Sequence, residues 1–482
     1  MKLKLFFASL IFFLAAAGLQ PPPPLPGRAF QPPFPPGYCP HYGPAPYQPV
    51  FCPPNPSVTL DQQLRLTLVA AGITPLDPGP DPDPALVDLG RLLYFDKELS
   101  GNRDISCATC HHPYMASGDT LSLPVGTGGK GLGYMRVRGE GREFIPRNAP
   151  EVFNRGAPGW TSMFWDSRVS GSAETGFASP AQDALPEGLD SVLAVQAMFP
   201  VTSREEMRGQ TGDKDILGHP NELATLAEND FPAIWSALMA RLTNIPEYVS
   251  LFQAAYPEVP VAEFGFQHAA NAIAAFEIEA YTFTDSPWDR YVAGADEAIS
   301  NEAKRGALLF YGKAQCAQCH SGNLFTDQAH HNLAVPQLGP GKGAEAPFDY
   351  GRGRETLDPA DLFAFRTPPL RNVALTGPWM HNGAYSSLTA AVSHHFTDPA
   401  ELMARYDINQ LHPDLQDTVQ TGEVPVAVLV GTRDPLLQGL PALADLEMEQ
   451  MLAFLQALTS PSTGYAIHDI PHQVPSGLPV AD

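Results

Sequence analysis

Two segments of the chain share one five-residue pattern: Cys107-Ala108-Thr109-Cys110-His111 and Cys316-Ala317-Gln318-Cys319-His320. Cys-x-x-Cys-His is the attachment signature of c-type haem. On a helical turn, positions i, i+3 and i+4 share a face. Both thiols can therefore form thioethers to the haem vinyl groups while the His offers an axial nitrogen to iron. A thioredoxin-like redox pair or a zinc site built from both Cys-x-x-Cys units would also use these cysteines. Neither explains a His directly after each second Cys. The pattern predicts two covalently bound haem c groups, with Cys107, Cys110, His111, Cys316, Cys319 and His320 holding them.

The N-terminus points to export. Lys2 and Lys4 precede an apolar stretch, Leu5 to Ala17, that ends in Ala-x-Ala at Ala15 and Ala17, which predicts a signal peptide over residues 1–17. The stretch is shorter than the roughly 20 residues a membrane span needs, and no Cys follows closely enough to indicate a lipid anchor. The expected location is the periplasm, with the signal peptide cleaved. Residues 18–57 are rich in Pro, a composition that favours extended polyproline geometry and cannot bury a core. This segment reads as a tether, in which Cys39 and Cys52 are expected to form a local disulfide in an oxidising compartment. Lys and Arg total 29 against 52 Asp and Glu, a formal charge of -23, which argues against nucleic-acid binding by phosphate neutralisation.

Beyond Ser57, apolar residues recur at three- and four-residue spacings in Leu60–Gly72, Ala85–Phe95, Ile234–Arg241, Ala262–Tyr281 and Ala303–Tyr311. A last helix is predicted over Asp445–Thr459, before Pro461. Long Gly- and Pro-rich connections lie between these runs, and Val424–Val430 is the one run tempting as a strand. The chain reads as mainly α with long irregular loops. The tail after Ser460 is expected to be loosely ordered.

From about Leu89 to Thr459, with an insertion after Arg168, the sequence resembles the bacterial dihaem cytochrome c peroxidase family, which includes the MauG-type enzymes that oxidise protein side chains. The landmarks are Leu89-Gly90-Arg91-Leu92-Leu93-Tyr94-Phe95-Asp96, Arg147-Asn148-Ala149-Pro150, Phe164-Trp165-Asp166-Ser167-Arg168, Phe365 to Asn372, and Met380-His381-Asn382-Gly383. The resemblance implies two cytochrome c-like domains, placed here at 58–296 (N-terminal, peroxidatic) and 297–460 (C-terminal, electron transfer), with 461–482 as a tail. It implies that Trp165 bridges the two haems. It also implies a Ca2+ site between the domains, matched by the side-chain oxygen of Asn148 and the carbonyls of Thr376 and Pro378. Peroxide cleavage needs a carboxylate to move a proton; the segment Gln196 to Met207 matches the family's catalytic stretch, with Gln196 positioning the ligand and Glu206 transferring the proton. Glu205 is the neighbouring alternative.

Two departures shape the expectation. Peroxidase members of the family carry a second His some 16 residues after the first motif, which caps the N-terminal haem until the other haem is reduced. The corresponding stretch Ser122–Gly129 holds no His, so an open distal site without reductive activation is predicted. At the C-terminal haem the family's distal ligand, Met or Tyr, falls 14 residues after the His of the Met-His-Asn-Gly landmark. From His381 that position is His395, with His394 as rival. Arg147 and Arg371 are candidates to pair with haem propionates. The expected activity is reduction of hydrogen peroxide to water with electrons from a small redox protein, a cytochrome c or a cupredoxin. The alternatives are a MauG-like oxidase and a dihaem electron carrier without catalysis. The resemblance leaves room for a homodimer.

Overall fold

The computed structural model describes residues 58–480. The predicted signal peptide, the tether and Cys39 with Cys52 lie outside the described residues.

Helices start where the sequence supplies caps. In α1 (Leu60–Ala70) the Thr59 hydroxyl accepts from the Gln62 N–H and the Gln62 side chain accepts from the Thr59 N–H, so two end donors are satisfied reciprocally. Asp83 caps α2 (Pro84–Phe95), with Pro84 at the first position, where its missing N–H costs nothing. The single turn α3 (Cys107–Cys110) carries the first motif. The chain continues through α4 (Val192–Ala197), α5 (Phe231–Thr243), α6 (Pro246–Ala255), α7 (Phe266–Tyr281), α8 (Pro287–Val292), α9 (Asn301–Tyr311), α10 (Arg352–Thr356) and α11 (Leu388–Phe396). The helix Asp445–Ala457 follows three shorter ones.

Sheet is scarce. β1 (Ser162–Met163), β2 (Val169–Ser172) and β3 (Gly176–Ala178) form an antiparallel ribbon in sequence order. β4 (His330–His331) pairs antiparallel with β5 (Phe365–Arg366). The mainly α reading with long irregular loops therefore holds. The tempting strand is instead the helix Glu423–Gly431. Its apolar residues are continuous rather than alternating, and the Thr432 hydroxyl closes the last turn on the Val428 carbonyl.

Two helix pairs organise two cores. α2 crosses α7, and at the crossing a Cβ on Gly90 would lie 1.8 Å from the Ala272 carbonyl oxygen. α9 crosses Asp445–Ala457 in the same way, with a Cβ on Gly306 falling 1.9 Å from the Gln450 carbonyl oxygen. The helices that carry these glycines also end alike, in Leu92-Leu93-Tyr94-Phe95 and Leu308-Leu309-Phe310-Tyr311. Cys107 and Cys110 pack against the first core and Cys316 against the second.

The ends of the described chain cross over. Leu64 and Leu68 of α1 join the second core beside Trp288, Phe310 and Phe454. The tail after Ser460 is ordered against the first core, with Ala466 and Val474 buried there. Its anchor is Asp96, whose buried carboxylate accepts from the Ser476 hydroxyl at 2.6 Å and the Tyr248 hydroxyl at 2.7 Å. The loosely ordered tail expected from sequence is corrected: a buried carboxylate needs donors, and the tail provides one. From Thr59 onward the chain packs as one unit. Among the described residues no helix is long and apolar enough to cross a membrane.

Candidate functional site

Each motif presents its histidine in the same way. His111 ends the turn of α3 and its Nδ1 lies 3.1 Å from the Ser117 carbonyl oxygen. His320 follows a 3-10 turn and its Nδ1 lies 3.1 Å from the Phe325 carbonyl oxygen. A carbonyl on Nδ1 fixes the ring and leaves Nε2 as the ligating atom. Burial pulls both imidazoles below their ordinary range, His320 to about 4, which keeps them neutral as a metal ligand must be.

Cys107, Cys110, Cys316 and Cys319 form no disulfide, and burial pushes Cys107 and Cys316 up to about 12 and Cys110 up as well. A thioredoxin-type pair needs the opposite, a thiol whose pKa is lowered. A zinc site using both Cys-x-x-Cys units fails too, because the two units lean on different cores.

Around the second motif the protein opens a cleft with about 1630 Å³ of free space, its mouth included. Cys316, Cys319, His320 and His395 all line it, and its walls are largely apolar, among them Phe310, Leu388, Met451 and Leu455. His395 is close enough for its charge to bear on His320. It sits on the last turn of α11 with Nδ1 3.0 Å from the Ala391 carbonyl oxygen. His394, the rival, is fully engaged elsewhere: its Nδ1 meets the Tyr385 hydroxyl at 2.7 Å and its Nε2 the Leu333 carbonyl at 2.8 Å. Two buried donors in the cleft wall, Arg366 Nη1 and Gln337 Nε2, have no protein partner. An apolar slot between two histidines, with unpaired donors on its wall, fits an amphipathic tetrapyrrole with acidic side groups.

At the first motif the segment Arg204–Arg208 folds as a π-helical turn, an irregularity frequent at functional sites. The turn exposes Glu205 and turns Glu206 inward, with the Ser203 hydroxyl accepting from the Glu206 N–H. The charge of Glu206 bears on Cys110, which places the carboxylate beside the first attachment site. Burial raises its pKa, while the cations Arg168 and Lys342 oppose the rise. Gln196 lies half-buried on α4. The His-free stretch Ser122–Gly129 packs directly on the turn: the Thr127 N–H donates to the Glu206 carbonyl at 2.8 Å. A Cβ on Gly126 would meet the Glu205 carbonyl oxygen at 1.8 Å, so only glycine fits there. Near His111, the buried Arg155 leaves Nη1 without a protein partner, a donor for an acidic group.

Trp165 stands in the wall of the cleft around the second motif. Its indole N–H donates to the Asn148 carbonyl at 3.0 Å. Asn148, Thr376 and Pro378 line the same cleft. The Asn148 amide nitrogen is spent on the Leu121 and Ser122 carbonyls, which turns Oδ1 the other way. Oxygen donors of this neutral kind suit a hard cation.

Arg147 and Arg371 depart from expectation. Arg147 is held by Asp349 and Asp166, and Arg371 by Asp289, so both guanidiniums are committed to protein carboxylates. Unpaired donors come from Arg366, Gln337 and Arg155 instead. Arg366 stands inside a landmark quoted above, so a sequence signal for it existed. Nothing local marked Gln337 or Lys342, which a loop brings in from far along the chain.

A family model for di-haem cytochrome c peroxidase matches residues 84–297. The chain is 32% identical to the methylamine utilization protein MauG of Methylorubrum extorquens over 316 residues, 65% of this chain and 69% of that protein. It is 32% identical to cytochrome c551 peroxidase of Pseudomonas aeruginosa over 308 residues, 64% of this chain and 70% of that protein. Among solved structures, a MauG-like protein associated with microbial copper homeostasis superposes with a TM-score of 0.54 at 24% identity, covering 81% of this chain and 94% of that one. The diheme peroxidase BthA of Burkholderia thailandensis gives a TM-score of 0.51 at 22% identity, covering 81% and 90%. At these identities the two structures speak for the fold, and the sequence relatives speak for descent: the chain belongs to the di-haem cytochrome c peroxidase family that includes MauG.

Proposed function

We propose that this protein is a periplasmic dihaem c-type peroxidase that reduces hydrogen peroxide to water with single electrons from a small redox protein. When bound, the two haems supply the redox chemistry, which takes two electrons and two protons for each peroxide converted to two waters. Cys107, Cys110 and His111 would hold one group, and Cys316, Cys319, His320 and His395 would hold the other. Residues 58–296 and 297–460 carry the first and the second cytochrome c-like haem site, with α1 and Trp288 lent to the second core and the tail after Ser460 to the first. Glu206 accepts a proton from bound peroxide and returns it to the leaving oxygen, the general acid/base task. Gln196 orients the ligand, and Trp165 carries charge between the two sites. Asn148, Thr376 and Pro378 hold Ca2+ where these regions meet.

The observation that carries this reading is the asymmetry of the two sites. At the second motif a histidine faces the same cleft as His320, whereas at the first the stretch beside Glu206 holds no ligand-forming His. A filled iron favours electron transfer and an open one admits peroxide. The same missing His, together with the likeness to MauG, favours a second reading, an oxidase that uses peroxide or oxygen to modify a protein or small molecule.

Optical and electron paramagnetic resonance titration of the mature ferric holoprotein with peroxide tests both readings. One high-spin and one low-spin haem are expected. Turnover with reduced cytochrome c marks the peroxidase, and long-lived oxidation without donor consumption marks the oxidase. Two low-spin haems that ignore peroxide would leave only an electron carrier.

A further inference from the structure

Both ring nitrogens of His394 have partners, and the partners fix where its hydrogen sits. Nε2 lies 2.8 Å from the Leu333 carbonyl oxygen, which only accepts, so Nε2 carries the hydrogen. Nδ1 lies 2.7 Å from the Tyr385 hydroxyl, and that hydroxyl has no other hydrogen-bond partner among the described residues. Were Nδ1 protonated too, the phenol would have to accept, and its own buried hydrogen would be left unmet. Nδ1 is therefore bare, and Tyr385 donates to it. Tyr385 has 5% of its surface exposed and His394 1%, so solvent does not compete for this bond.

The pairing sets Tyr385 apart from other tyrosines near the two sites. Tyr94 donates to the His111 carbonyl at 2.9 Å. Tyr406, whose ring stands 5.8 Å from that of Tyr385, donates to the Ala384 carbonyl. A carbonyl oxygen does not keep a proton, whereas a bare imidazole nitrogen does. A phenol that loses an electron becomes strongly acidic, so a buried tyrosine is oxidised readily only where a base already holds its hydrogen. Position matters as well. The His394 ring lies 6.1 Å from that of His395, which lines the cleft with His320. Tyr385 also shares an apolar cluster with Ala391 of α11 and with Leu123 and Val125, from the stretch that packs on the turn of Glu206.

We infer that Tyr385 is a redox site of its own: when peroxide reacts and no donor protein is at hand, it gives one electron toward the second haem while its phenolic proton passes to Nδ1 of His394. The O–H bond of Tyr385 breaks, an N–H bond forms on His394, and a neutral phenoxyl radical remains. Hydrogen peroxide is the oxidant. Its conversion to two waters takes two protons from solvent and two electrons, one from Tyr385 and one from a haem iron. An electron returning from the donor protein, with the proton moving back, restores the phenol. This rests on the peroxide reading and on His395 as the ligand of the second haem. It gives the molecule a place, closed to solvent, in which to hold an oxidising equivalent away from the iron.

The test mixes the mature ferric holoprotein with hydrogen peroxide without donor and freezes it for electron paramagnetic resonance, with optical spectra of the same samples. A tyrosyl radical is expected, its proton hyperfine structure collapsing when the protein carries ring-deuterated tyrosine. Y385F is expected to lose it, and so is H394A, in which the phenol has no base. The same radical surviving in either variant with both haems loaded overturns the inference. Where a variant does not load haem, double resonance on the intact protein decides: isotope-labelled histidine is expected to change the nitrogen coupling across the hydrogen bond, and no change overturns the inference. Haems that change spectrum with peroxide while no tyrosyl radical forms overturn it and leave the peroxide reading standing. Haems that peroxide leaves unchanged overturn both.

Discussion

Glu277 on α7 has 6% of its surface exposed, and its Oε2 has no hydrogen-bond partner. Burial pushes its carboxyl from 4.5 up to about 8, against the opposing pull of Arg155. Between those values the folded protein holds a proton that the unfolded chain has released. The resulting stability is fully present below about 4.5 and is lost as pH rises through 8. The slope is at most about 1.4 kcal/mol per pH unit. Glu277→Gln should flatten that slope and make the protein more resistant to denaturant at pH 8, as midpoints at pH 5 and 8 would show. An undiminished slope would put the titrating group elsewhere. At the second haem, His395→Ala should convert a low-spin iron to high spin. His394→Ala should leave the spin state alone and cost about 1–3 kcal/mol for the buried partners it strands. Counting residues reached His395 from sequence but could not dismiss its neighbour. Only the packing of Tyr385 and Leu333 around His394 does that.

The helices read from sequence were legible through their apolar stripes, helped at several by a cap, and both signals are local. Glu423–Gly431, with neither a stripe nor a side-chain cap, was not among them. What a glycine does inside a helix is not local. By propensity Gly90 and Gly306 weaken their helices, yet each lets a partner helix approach until a Cβ would sit 1.8 or 1.9 Å from its backbone oxygen. Gly90→Ala and Gly306→Ala should each cost about 1–3 kcal/mol or more, since well-packed helices must separate to admit a methyl group. Gly431→Ala, with nothing within 4 Å, is the control. Thermal melts of the three variants check this, and equal melting temperatures would refute the close-crossing account. The π-helical turn at Glu206 was hidden for a similar reason. Sequence placed Glu205 and Glu206 side by side, and the extra residue in the turn decided which one faces inward.

For the whole molecule, the crossing of the chain ends predicts that removing residues after Ser460 damages the far half of the sequence. The truncated protein should melt earlier and show a disturbed first-haem spectrum, while the low-spin signal of the second haem persists. A melt like that of the intact chain would mean that the Asp96 anchor contributes nothing. The formal charge of -23 should also make the reaction with a basic cytochrome c fall as salt rises from about 10 to 150 mM, because screening shortens the reach of surface charge. A salt-independent rate would show that the donor docks by other means.

Sequence alone determined the covalent chemistry, because two thiols and an imidazole at fixed spacing on a turn are a local requirement that no partner has to complete. Tertiary structure decided which histidine faces the cleft and which glutamate faces inward. Those choices depend on backbone brought together from distant parts of the chain, and on how burial and opposing charges weigh on each group once it is there.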